Sequence, residues 1–162
     1  MQGFPWDPVV CERYMDAAIA QAERAIHFGE VPVGCVVVDS HGIVAAAHNL
    51  RETLQDPSAH AELIALRDAS RRKGSWYLSD CVVVATLEPC PMCAGALVNA
   101  RVAGLVYGAP DPKAGACSTL FRIPEDSRLN HTLPVIPGIR ADRCAQLLSD
   151  FFRRLRQSRE SA

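Results

Sequence analysis

The amino-terminal part of the chain carries a helical pattern from Asp7-Pro8, a capping residue followed by one suited to the first helical position. Val10, Tyr14, Ala18, Ala22 and Ile26 recur at helical spacing against Glu12, Arg13, Asp16, Glu23 and Arg24, and Gly29 closes the stretch. The period then changes. Residues 33–38 are a β-branched run, Asp39-Ser40-His41-Gly42 carries turn chemistry, and residues 43–48 form a returning arm, so a hairpin is predicted. Asn49-Leu50-Arg51 leaves the sheet, and Asp56-Pro57-Ser58 announces a second helix with His60 and Glu62 in its first turn. Arg71, Arg72 and Lys73 suit the negative end of that helix before Gly74.

Residues 81–86 are short, continuous and apolar, the pattern of a central strand covered on both faces. A third helix follows to Ala100, apolar nearly all round, which predicts burial or contact with another subunit. Residues 105–107 read as a strand and 108–116 as a loop, while 119–130 are poorly patterned. Flanking prolines make 133–137 a short edge strand. A final amphipathic helix over 139–157 runs through Cys144, Leu147, Leu148, Phe151, Phe152 and Leu155. Residues 1–6 read as an irregular lead-in and 158–162 as a frayed end. The order predicts an α/β fold, a three-layer α/β/α sandwich with a mixed five-stranded sheet. Without a linker or internal repeat, residues 1–162 read as a single domain.

Composition narrows the class. With 49% hydrophobic and 22% charged residues the chain is an ordinary globular protein. Its seven cysteines are an odd number without a secreted-type spacing, so a reducing compartment, the cytoplasm, is expected. No basic region followed by an apolar run marks a signal peptide, and no stretch is apolar enough to span a bilayer, so no membrane partner is expected. A net charge of −1 excludes a polycation, and a nucleic-acid partner must be held by a local patch. The basic residues are nearly all Arg, Lys73 and Lys113 being the only lysines. Arg153, Arg154, Arg156 and Arg159 close the last helix either as a solvated end or, beside two Phe, as a track for a nucleic-acid backbone.

The candidate chemistry lies in His60-Ala61-Glu62 and Pro89-Cys90-Pro91-Met92-Cys93. The form H-x-E…P-C-x-x-C is the signature of zinc deaminases that act on nucleobases. An imidazole and two thiolates are good Zn²⁺ ligands, and three protein ligands leave the fourth tetrahedral position open, as a catalytic site needs. Cys90 and Cys93 share a helix face, and Pro91 at the first helical position puts Cys90 at the amino end, where the dipole favours a thiolate. One Zn²⁺ per subunit is expected on His60, Cys90 and Cys93, with Glu62 free to move protons. Asn49 offers donor and acceptor together, which suits a purine edge, or else it is a strand-end turn residue. Asp111 and Lys113 sit in a loop at a strand end, where specificity groups gather. Two other readings stay open. A free-base deaminase of guanine or cytosine would use the same metal chemistry, and a non-catalytic zinc module would need a fourth donor, His131 or Cys117.

The chain resembles the bacterial TadA-type tRNA adenosine deaminases of the cytidine deaminase-like fold. The matching stretches are Glu30-Val31-Pro32-Val33-Gly34, Asn49, Ala59-His60-Ala61-Glu62, residues 86–95 (TLEPCPMCAG), Asn130-His131 and residues 145–152 (AQLLSDFF). The zinc motif alone is shared with free-base deaminases, and LLSDFF followed by arginines tilts the match to the tRNA enzymes. The resemblance implies zinc on His60, Cys90 and Cys93, a proton shuttle at Glu62, and a flipped purine read at Asn49 and Ala61. It implies substrate contacts from Asp111 and Lys113, and from Phe151, Phe152 and Arg154 to a tRNA anticodon stem-loop. It further implies a homodimer that converts adenosine to inosine at the wobble position, in an arginine tRNA. The chain departs from the familiar pattern at Pro110 and Pro112, where Arg and Ala are usual, and at Cys117.

Overall fold

The computed structural model describes residues 6–162, so most of the expected lead-in, residues 1–5, lies outside the described residues. Helix α1 (Pro8–His27) begins as its sequence demands: Asp7 is the cap, and its side chain accepts a hydrogen bond from the Val10 N–H at 3.0 Å. It ends through Phe28, with Gly29 at φ +70°. Strands β1 (Gly34–Asp39) and β2 (Gly42–His48) form the hairpin, with a register shift between Val37 and Val38. A short helix α2 (Arg51–Leu54), not foreseen from the sequence, precedes α3 (Ala61–Lys73). Then come β3 (Val82–Leu87), α4 (Pro91–Asn99), β4 (Gly104–Ala109), a 3-10 turn Ile123–Glu125, β5 (Val135–Ile136) and α5 (Ala141–Glu160).

The sheet is mixed and five-stranded, in the order β2-β1-β3-β4-β5. β1 is antiparallel to both β2 and β3, while β3, β4 and β5 run parallel. Side-chain alternation explains why β1, β3 and β4 read as unbroken apolar runs. Val36, Val38, Val82, Val84 and Val106 face a core built with Cys11, Met15, Ala18 and Ala22 of α1 and Cys144 and Leu147 of α5. Cys35, Val37, Val83, Ala85, Leu105 and Tyr107 face the opposite core, with Ala65, Leu66 and Ala69 of α3 and Ala94, Leu97 and Val98 of α4. Each strand is dry on both sides because helices cover both sides. The predicted sandwich and its five-stranded mixed sheet are therefore present.

Two local expectations are corrected. His60 is the cap of α3 and not part of its first turn, because Asp56-Pro57-Ser58 closes a separate turn in which Asp56 accepts from the Ser58 N–H and hydroxyl. The stretch expected to fray is helical as far as Glu160. Of the two expectations for α4, burial holds for one face only: Cys93, Ala94, Leu97 and Val98 face inward, while Met92 remains 39% exposed. The five cysteines outside the motif, Cys11, Cys35, Cys81, Cys117 and Cys144, are all buried, where a free thiol packs as a small hydrophobe.

Helix α1 lies hard against β1 at Gly34. A Cβ there would stand 2.0 Å from the Ala18 carbonyl oxygen and 2.5 Å from the Ala22 nitrogen, both backbone atoms that cannot swing aside. Gly34→Ala must push the helix off the sheet, so urea unfolding should show a loss of roughly 1–3 kcal/mol or more. An unchanged midpoint would mean that this contact is not tight in solution.

Candidate active site

The site forms where the amino ends of two helices meet. His60 caps α3 and Cys90 caps α4, and neither side chain makes the usual capping hydrogen bond to its own helix. Both turn instead toward one point. The His60 Nδ1 lies 3.6 Å from the Cys90 Sγ and 3.5 Å from the Cys93 Sγ. These three form the metal-capable cluster among the described residues. The fit to zinc is geometric: bonds of about 2.3 Å to sulfur and about 2.0–2.1 Å to nitrogen, at tetrahedral angles, separate nitrogen from sulfur by about 3.5 Å. The donors already stand at that edge length.

Glu62 follows in the first turn of α3, 4% exposed, with its carboxylate oxygen 3.5 Å from the Cys93 Sγ. Neither proposed fourth donor joins the cluster. The His131 Nε2 is engaged 2.9 Å from the Val102 carbonyl, and the buried Cys117 thiol turns to the Pro89 carbonyl.

Protons are unevenly held here. The Cys90 thiol is pulled down to about 4, first by the hydrogen bond from Cys93 and then by His60, against the opposing effect of burial. Donating to Cys90, together with burial, pushes Cys93 up. The bond to Cys90 raises His60, and burial raises Glu62. Cys90 is thus the ready thiolate, Cys93 retains a proton that a metal must displace, and His60 is shifted toward its protonated form.

Above the donors opens a cavity of ≈ 540 Å³, in the range of small-molecule sites. Its lining includes Asn49, His60, Ala61, Glu62, Cys90, Asp111, Lys113 and Phe152, so most of the candidates from the sequence converge. Phe151 and Arg154, one half-buried and one exposed on α5, are outside the lining. Asn49 is 8% exposed; its Nδ2 donates to the Val31 carbonyl at 3.3 Å and its Oδ1 accepts from the Arg51 N–H at 3.0 Å. That is turn chemistry, yet it uses one of two donor hydrogens and one of two acceptor positions, leaving one of each for a ligand. Asp111 likewise accepts from the N–H groups of Lys113 and Ala114, shaping its own loop. Arg51, Leu148, Val31 and Val33 also line the cavity and were missed, since apolar wall residues carry no motif and Arg51 stood out only as a chain turning away from the sheet.

Residues 9–109 match the family model for the cytidine and deoxycytidylate deaminase zinc-binding region. A tRNA-specific adenosine deaminase of Bacillus subtilis (strain 168) is 46% identical over 151 residues, covering 93% of this chain and 94% of that protein. The chain belongs to the tRNA-specific adenosine deaminase family. A member structure, solved in a study of A-to-I editing by tRNA:A34 deaminases at the wobble position of transfer RNA, superposes with a TM-score of 0.81. It is 35% identical and aligns over 84% of this chain and 99% of its own. A guanine deaminase of Bacillus subtilis is 37% identical, but over 61% of this chain and 64% of its own, with a TM-score of 0.59. The alignment with the tRNA deaminase structure thus covers more of this chain than that with the Bacillus subtilis guanine deaminase. Zinc is the metal of this family's binding region, and the donor set here fits it.

Zinc uptake should therefore release protons. Because the Cys93 thiol is pushed above its ordinary range and holds its proton at neutral pH, apo-protein titrated near pH 7 should release at least about one proton per zinc, and the upward shift of His60 adds to that release as pH falls. Affinity should fall as pH drops through the His60 range, where protons compete better for the imidazole. Calorimetry in buffers of different ionisation enthalpy measures the count, and a value near zero would contradict this proton inventory.

Proposed function

We propose that this protein hydrolyses adenosine to inosine at the wobble position of a tRNA anticodon, with an arginine tRNA as the substrate. The observation that carries the reading is the three-donor cluster at tetrahedral spacing, of which His60 and Cys90 line a cavity that also holds a buried carboxylate and a half-free amide. His60, Cys90 and Cys93 would hold one Zn²⁺. When bound, the metal supplies the acidity that takes a water pKa from about 15.7 toward about 7. Glu62 would take the first proton of the water and pass it to the ring nitrogen beside C6 as the oxygen bonds to C6, then take the second proton from that oxygen and pass it to the amino group, so that the C6–N bond breaks, the C6 carbonyl forms and ammonia leaves. Asn49 and Ala61 orient the flipped purine. The walls around them exclude water from the reacting base.

The stem-loop is received by Asp111 and Lys113 from one side and by Phe152, with Phe151 and Arg154 beyond it, from α5. A loop base is already partly unstacked, which lowers the cost of flipping it. A homodimer is part of the proposal, supported by large apolar side chains left open on the subunit, among them Leu54, Leu120 and Phe121. No helix among the described residues is long and apolar enough to cross a membrane. We place the protein in the cytoplasm, in keeping with seven unpaired cysteines. Residues 1–162 act as one unit in this reading.

Two measurements test it. Zinc-loaded protein is incubated with an unmodified arginine tRNA bearing wobble adenosine and, in parallel, with free guanine, cytosine and adenine. Inosine from the tRNA alone is expected; product only from a free base would return the site to free-base deamination. Glu62→Ala should keep its zinc and lose activity by about 10²- to 10⁴-fold or more. Near-normal turnover in a zinc-loaded variant would remove Glu62 from the proton pathway.

A further inference from the structure

Two more carboxylates lie near the cavity, deeper than Glu62. Glu30 is 0% exposed and Glu88 is 1% exposed. No ion pair with Lys, Arg or His serves either one among the described residues. A buried carboxylate without a cation is costly unless hydrogen-bond donors fill its lone pairs. Here the donors come from loops distant in sequence.

Glu88 stands between β3 and the first metal donor. Its Oε2 accepts the N–H groups of Cys117, Ser118 and Thr119 at 3.1, 3.1 and 3.0 Å. Its Oε1 accepts the Asp111 N–H at 3.3 Å and the Thr119 hydroxyl. The loop wraps so closely that a Cβ at Gly115 would lie 2.4 Å from Oε2. On the other side, Glu30 Oε1 accepts the N–H groups of Glu52 at 2.6 Å and Thr53 at 3.3 Å, gathering α2, which opens at Arg51 two residues after Asn49. One carboxylate therefore fastens the wall that carries Asp111 and Lys113, and the other fastens the wall that carries Asn49 and Arg51.

We propose that Glu30 and Glu88 are a matched pair of positioning residues, whose carboxylate oxygens hold the two opposing walls at the separation a nucleotide needs. This rests on the nucleotide reading above for its substrate, though not for its geometry. Simple space-filling does not account for them. An apolar side chain would fill the same volume but leave a row of backbone N–H groups without acceptors. An amide would fail differently, turning an NH₂ group toward N–H donors. Each carboxylate works because both lone-pair-rich oxygens face the loop.

The test uses zinc-loaded Glu88→Gln and Glu30→Gln in the full chain. In Glu88→Gln, amide hydrogen exchange at residues 117–119 should accelerate by roughly tenfold or more, with residues 52–53 unchanged. Glu30→Gln should show the reverse. Zinc content should stay at the wild-type value, and KM for an anticodon stem-loop should rise about tenfold while kcat changes less than about threefold. Unchanged exchange at the named amides, acceleration spread evenly over the sandwich, or a kcat loss at constant KM would each overturn the proposal. Should Glu88→Gln fail to fold, Thr119→Val removes one donor to Oε1 and should accelerate the same amides. If wild-type protein does not turn over the stem-loop, the substrate reading fails, and the exchange measurements still decide whether the carboxylates hold the walls.

Discussion

The site depends on two helices beginning at the same place with their caps diverted. An N-cap side chain ordinarily turns back to satisfy its own helix's first N–H groups. His60 and Cys90 occupy that position on α3 and α4 and leave it unused, pointing at each other's neighbourhood instead. The dipoles of both helices then present their positive ends to one point, which favours the thiolate at Cys90 and would favour negative charge on a reacting oxygen there. That arrangement requires α3 and α4 to lie side by side on one face of the sheet. The small side chains Ala61, Ala65, Ala69 and Ala94 in that shared core allow it. Two of the three metal donors are therefore placed by the chain's entry into helices, and Cys93 follows within the first turn of α4.

The sheet supplies the other fixed frame. β3 ends at Leu87, next to Glu88, and runs directly into the metal loop, while β4 ends at Ala109 and runs directly into the loop of Asp111. Because the two strands are parallel and paired up to Leu87 opposite Ala109, both loops leave the sheet at the same edge. Ligands of open α/β sheets bind at the carboxyl ends of such strands for this reason. The backbone bond from the Glu88 N–H to the Ala109 carbonyl, at 2.9 Å, ties the two exits together.

Most of this was legible in the chain where the signal is local. Asp7-Pro8, the hairpin turn at 39–42 and the continuous apolar run before Thr86 each declared an element through chemistry within a few residues. The metal donors declared themselves because their residue types are rare together. What stayed hidden is long-range. Glu30 and Glu88 both stand in stretches that match the family, yet nothing nearby shows that one reaches 22 residues along the chain to Glu52 and the other 31 to Thr119. Gly34 is similar, since its need for no side chain comes from α1, folded back over it. His60 is the cap of α3 and not a residue of its first turn because Asp56-Pro57-Ser58, which carries a helix-start signal, forms a turn of its own.

Charge on α5 follows the same logic of placement. The amino half of that helix spends its arginines on α1: Arg140 pairs with Glu12 and Asp16, and Arg143 with Glu23. Arg153 pairs with Asp150 one turn back. Beyond it, Arg154, Arg156 and Arg159 are exposed and make no ion pair among the described residues. The helix is thus neutralised where it packs and positive where it projects, and the division falls beside Phe152, whose ring borders the cavity. A protein of net charge −1 has no global field with which to draw in a polyanion. Sorting its cations by position leaves the open arginines Arg154, Arg156 and Arg159 grouped at the carboxyl end of α5. Exposed pairs such as Arg140 with Asp16 add little stability by themselves. Their pairing cancels charge at the contact between α1 and α5 and leaves the uncancelled positive charge at the far end of the helix.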